Sequence, residues 1–142
     1  MNPEQEEFLA RRFSEAVAQQ PELAHLRTLL LKLGGEVLVA PPKPDPDVTH
    51  LLERGFLMSG PTTLTVMKSS SCHENVARAW TMREFDIVGI ATGYALSEDG
   101  LWRQHSWGVL RDGIFETTET RLKYFGIVLQ GERADYFAAA NS

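Results

Sequence analysis

Apolar positions recur at helical spacing in the first third of the chain and at strand spacing in the second half. From Glu4 to Gln20, Phe8, Leu9, Phe13, Ala16 and Val17 form one stripe behind an acidic first turn, which predicts an amphipathic helix. Pro21 opens a second helix with Leu23, Leu26, Leu30 and Leu33 on one stripe, and Gly34-Gly35 stops it. Both read as a cover for a core. Glu36 to Ala40 predicts a short strand. Pro41-Pro42-Lys43-Pro44-Asp45-Pro46-Asp47 predicts a surface loop, because neither flank is long enough for a core of its own. Val48 to Leu57 predicts a short helix, Ser59-Gly60-Pro61 a turn, and the β-branched run Thr62 to Met67 an extended segment.

After Ser69-Ser70-Ser71-Cys72-His73-Glu74, residues Asn75 to Met82 carry Val76, Ala77, Ala79 and Trp80 on a helical stripe. Phe85 to Leu96 is apolar or small on both faces, as in a buried strand. Asp99-Gly100 and Asp112-Gly113 are hairpin signals that delimit strands at Leu101 to Leu110 and Ile114 to Thr120. Tyr124 to Leu129 predicts a further strand, and a terminal helix runs from about Glu132 to Ala139. The expected fold is α+β, with N-terminal helices packed on an antiparallel meander. At 142 residues it is one domain, 1–142, mainly helical over 1–60, with a helix and the sheet over 69–142.

Composition narrows the function. The chain is 43% hydrophobic with a formal net charge of −5, which disfavours the broad electrostatic grip on nucleic acid or an anionic membrane that a basic face would give, so neither is an expected partner. One cysteine excludes an internal disulfide and any multi-cysteine metal site. No apolar run approaches the roughly 20 residues of a membrane span. The acidic Met1-Asn2-Pro3-Glu4-Gln5-Glu6-Glu7 does not resemble a signal peptide, so a cytoplasmic protein with a free thiol is expected. Neither G-x-G-x-x-G nor G-x-x-x-x-G-K-[ST] occurs, and no cofactor is expected.

That thiol sits where helix physics can activate it. Ser71-Cys72-His73-Glu74 fits the capping box S-x-x-E, which makes Ser71 the N-cap and Cys72 the first helical residue. The positive end of a helix lowers a thiol pKa, and first-turn amides can hold an oxyanion. Of the four histidines, His25 and His50 read as structural or solvent-facing. His73 points about 100° away from Cys72 on a helix, so it reads as a pocket residue. His105 lies mid-strand between Trp102 and Trp107 and is the candidate base. An orienting acid is needed, and Glu116 on the next strand is the candidate. A two-residue Asp112-Gly113 turn would pair Val109 with Glu116 and leave Glu116 about 13 Å from His105 along the strand. Sheet coiling, a bulge or a longer turn must then close the gap, and Thr118, Thr120 and Tyr94 are same-face alternatives.

A cysteine opening a helix, a histidine on an antiparallel strand and a polar residue on the next strand resemble the papain-like thiol hydrolases. The layout is most similar to the compact NlpC-type peptidases and amidases, on Ser71-Cys72-His73-Glu74-Asn75-Val76 and on His105 to Glu116. The resemblance covers roughly Ser69 to Thr120. It implies Cys72 as nucleophile, His105 as base and Glu116 as orienter, acting on a peptide or another amide, ester or thioester. Tyr94, Trp102 and Trp107, with His73, are the expected walls of the substrate site. The alternative is a non-enzymatic interaction module that docks partners through its Trp-rich sheet or acidic helices. A metal site from Cys72, His73, His105 and Glu116 ranks last, because adjacent Cys-His lacks the spacing by which one helix presents two ligands.

Overall fold

The computed structural model describes residues 1–142 and is α+β. Helices α1 (Pro3–Gln19), α2 (Glu22–Leu33) and α3 (Val48–Arg54) precede most of the sheet. Asn2 caps α1 through a capping box with Gln5, a signal the apolar pattern does not carry. Strands are β1 (Val37–Leu38), β2 (Phe56–Met58), β3 (Thr62–Leu64), β4 (Gly89–Leu96), β5 (Leu101–Val109), β6 (Ile114–Glu116) and β7 (Lys123–Leu129). Helix α4 (Cys72–Met82) precedes β4, and α5 (Glu132–Asn141) follows β7. No helix is long and apolar enough to cross a membrane.

The sheet is mixed, which corrects the expected antiparallel meander. Its strands run β2-β7-β4-β5-β6-β3, and β1 adds to β5. The pairs β1·β5 and β3·β6 are parallel, and β7 returns to pair with β4 instead of β6. An eight-residue strand buried throughout, as β4 is, presents two edges of backbone groups that must both be paired. Several predicted elements also shorten. Glu36 to Ala40 pairs only over Val37–Leu38, the run from Thr62 ends its strand at Leu64, and the strand from Ile114 ends at Glu116. The helix from Val48 ends at Arg54, and Phe56 and Leu57 join β2; the strand expected from Phe85 starts at Gly89, after Arg83 has ended α4 in the left-handed region.

The sheet faces differ in what covers them. Tyr94, Leu96, Trp102 and Phe125 pack with Leu23, Leu26 and Leu30 of α2 and Leu51 of α3. Further along the same face, Ile90 meets Val76 of α4 and Ala134 of α5. The proline-rich loop is fixed to this side: Gln20 exchanges two hydrogen bonds with the Asp45 backbone, and Tyr94 OH donates to Asp45 Oδ2 (2.9 Å). The other face carries Ala91, Gly93 and Ala95 on β4, small residues that leave room for large neighbours. His105 and Trp107 from β5 and Tyr124 from β7 meet there, with Trp107 and Tyr124 ring centroids 5.0 Å apart. Closeness is enforced at Gly126, where a Cβ would lie 2.8 Å from the Trp107 ring.

Candidate active site

Strand β5 has an incomplete ladder. On the side away from β4, β1 pairs with Leu101 and Trp102, and β6 with Gly108 and Val109. Residues 103–107 between them have no strand partner there, and α4 packs against β5. Cys72 is the first residue of α4 and half-buried, and the His105 ring and the Ser106 backbone amide are the polar groups that act on its thiol. Ser71 occupies the N-cap position, but the expected capping box does not form. Its Oγ donates to Ser69 O (3.2 Å), so the cap carries no side-chain bond. The approach to Cys72 is instead held by Asn75 Nδ2, which donates to Lys68 O (2.7 Å), and by Ser70 in a left-handed conformation (φ 55°).

His105 Nε2 lies 2.8 Å from Glu116 Oε1, with both side chains buried. The separation expected from a two-residue turn does not arise. Val109 pairs with Ile114, so four residues, Leu110 to Gly113, form the turn, closed by Leu110 N donating to Gly113 O (2.9 Å). Relative to the tighter turn, the register moves by two residues. Side-chain faces are preserved, and the offset between Glu116 and His105 halves to about 7 Å along the strand. The longer turn thus closes the gap. The other candidate orienters stand elsewhere. Tyr94 is paired with Gln104 and points to the helical face, and Thr118 donates to Glu116.

Glu116 is surrounded by donors. Oε1 accepts from His105 Nε2 and from Tyr124 OH (2.8 Å); Oε2 accepts from Thr117 N, Thr118 N and Thr118 Oγ1, each at 3.0 Å. Burial alone would raise its pKa, but the bond to His105 leads the opposing interactions and holds it at about 2. An ionised carboxylate only accepts, so Nε2 of His105 carries a proton and Nδ1 of the neutral ring is the free acceptor. Burial also pushes the His105 pKa down, yet Cys72 and Glu116 hold it above the ordinary imidazole value. For Cys72, burial pushes upward, but the bond to His105, its charge and the Ser106 amide bring the thiol below its usual value. Opposite shifts on the two partners favour a thiolate–imidazolium pair. The amides of Cys72, His73 and Glu74 precede the first helical bond, Asn75 N to Ser71 O (2.8 Å), and remain available to an anion.

The remaining expected site residues divide. His73 is half-buried, its Nδ1 2.5 Å from Ser106 Oγ, which donates to Thr92 Oγ1 (3.0 Å). Burial, then the charge of His105, holds its pKa below the ordinary value. Trp107 stacks on the His105 ring (centroids 5.8 Å, 20°) but is fully buried, so it supports the imidazole and walls no opening. Tyr94 and Trp102 belong to the core on the opposite face, where Trp102 Nε1 donates to Gly34 O. His25 and His50 are exposed. Tyr124 is the residue the linear pattern does not reveal. It reaches Glu116 only because β7 crosses back to β4 and the sheet curls. No group of three or more His, Cys, Asp and Glu is arranged to hold a metal ion. No protein-family model, curated protein or solved structure matches the chain.

Proposed function

We propose that the protein is a thiol enzyme of acyl chemistry, with Cys72 as nucleophile, His105 as base and Glu116 as the group that orients His105. The convergence of these three on the gap in β5, one at a helix start and two on neighbouring strands, is the observation that supports this reading. The papain-like resemblance, and within it the NlpC-type layout, agrees with the same order of residues.

The chemistry follows from the hydrogen bonds. His105 Nδ1 takes the proton of Cys72, and the sulfur attacks the carbonyl carbon of an amide, ester or thioester. A sulfur–carbon bond forms, the carbonyl π pair moves onto oxygen, and the first-turn amides of α4 donate to that oxygen. As the tetrahedral centre collapses, the bond to the leaving group breaks and the imidazolium returns its proton to it. Water, deprotonated by His105, then attacks the thioester, releases the acid and restores the thiol. An acceptor amine in place of water gives transfer. Glu116 stays ionised throughout and stabilises the imidazolium.

Para-nitrophenyl acetate tests the reading. Wild-type protein is expected to release one equivalent of nitrophenol in a burst and to gain one acetyl group on Cys72 by mass spectrometry. Cys72→Ala is expected to abolish both, and His105→Ala to slow acetylation by roughly 100-fold or more. Equal acetylation rates in wild type and His105→Ala would leave an accessible but unactivated thiol and favour the docking module.

A further inference from the structure

Strand β3 ends the sheet, paired only with β6. Ile114 N donates to Pro61 O (3.0 Å), Thr65 N to Glu116 O (2.8 Å) and Met67 N to Thr117 O (2.8 Å). Odd-numbered residues therefore turn their backbone groups toward β6 and the chain following it. Backbone groups alternate between the edges of an extended strand, so Thr62, Leu64 and Val66 turn theirs to the open side. Natural edges are usually blunted by charge, proline or a bulge. Thr62-Thr63-Leu64-Thr65-Val66-Met67 has neither charge nor proline, and its register with β6 is continuous over Thr62 to Leu64. Leu64 and Val66 are 44% and 71% exposed.

Two further features bear on this edge. Leu64 pairs with Glu116, so the edge runs beside the acid of the triad, and the bond from Asn75 to Lys68 O ties its far end to the helix that carries Cys72. On one side of β3, Thr63 and Thr65 line a cleft of about 980 Å³. Its charged lining, Arg83, Glu84, Asp86, Arg111 and Asp112, contains both signs, and none of these side chains is engaged in an ion pair or side-chain hydrogen bond. Unpaired charges of both signs complement the mixed side chains of a polypeptide better than a uniformly anionic or cationic ligand.

We propose that the open edge of β3 captures an extended polypeptide segment as an added strand and presents it to Cys72. Backbone bonds to Thr62, Leu64 and Val66 supply the affinity. Alternate side chains of the segment fall over Leu64 and Val66 or into the cleft beside Thr63 and Thr65. The presentation to Cys72 rests on the acyl-transfer reading; the capture does not.

The test uses fluorescein-labelled casein, a disordered polypeptide, and full-length protein carrying Cys72→Ala so that binding is read without turnover. Saturable binding is expected. Amide exchange should slow at Thr62, Leu64 and Val66 when casein is added, with Thr65 and Met67 unchanged. Val66→Pro, which removes an outward donor and leaves the bonds to β6, should weaken binding roughly tenfold, the equivalent of one lost hydrogen bond. Leu64→Lys serves as a second variant, with circular dichroism checking that both fold. Absence of binding, binding unchanged in both folded variants, or an edge-dependent dimer that excludes casein would each overturn the proposal. Alternating protection here, with a wild-type Cys72 that para-nitrophenyl acetate acetylates no faster than in His105→Ala, would sustain the edge and defeat only the acyl-transfer reading.

Discussion

At Glu116, both oxygens are fully committed to donors: His105 and Tyr124 on one, Thr117 and Thr118 on the other. Glutamine is therefore not a conservative replacement. Its NH₂ must face either His105 and Tyr124 or the Thr117 and Thr118 amides, and donors then meet donors. Glu116→Gln is expected to cost about 3 kcal/mol in denaturant unfolding, as removal of one partner of a buried pair does. A pH dependence accompanies it. The folded-state pKa of about 2 lies below the ordinary 4.5, so the stability from ionised Glu116 is present above about pH 4.5 and is lost as pH falls toward about 2. Melting temperatures followed across that window should drop in wild type, with this component missing in Glu116→Gln. A glutamine variant with wild-type stability and acid sensitivity would contradict the ionised, donor-enclosed carboxylate.

Elements were legible where a local pattern decides them. The stripes of α1 and α2 and the buried run of β4 follow from periodicity; α4 starts at Cys72 as expected, but without the capping box that pointed to it. Register was not legible, because Asp112-Gly113 fits both a two-residue and a four-residue turn, and the choice moves Glu116 by two positions relative to His105. The cap of α4 was misread for a related reason: Ser71 has the side chain for a capping box but bonds back to Ser69 in the loop that Ser70 bends. Ser70 at φ 55° is the strained link in that loop. Ser70→Gly is expected to stay within about 0.5 kcal/mol of wild type, while Ser70→Val, β-branched in the left-handed region, should cost about 2 kcal/mol. Thermal unfolding distinguishes them, and equal stabilities would show that the bend is not imposed.

Over the whole molecule, what escapes the sequence is which strands meet. Periodicity marks β7 as a strand but not its return to β4, and that crossover brings Tyr124 to Glu116. Alternation along β4 and β5 puts Tyr94 and Trp102 on the helical side and Trp107 beside His105. Gly93 and Gly126, paired across β4 and β7, mark the closest approach; a Cβ on Gly93 would lie 2.2 Å from Phe125 O. Gly93→Ala is expected to destabilise by roughly 3 kcal/mol and to alter the near-ultraviolet dichroism of the Trp107–Tyr124 cluster. A silent Gly93→Ala would mean that the strands have room the packing denies them.

The activated thiol depends on all three scales, and because Cys72 is the single cysteine, its ionisation can be read alone by ultraviolet thiolate absorbance against pH. The account predicts that the wild-type thiol titrates below the ordinary thiol value. In His105→Ala the titration should move to or above the ordinary thiol value of about 8.5, since burial then acts unopposed. A wild-type thiol that titrates at or above that ordinary value, with no change in His105→Ala, would contradict the account.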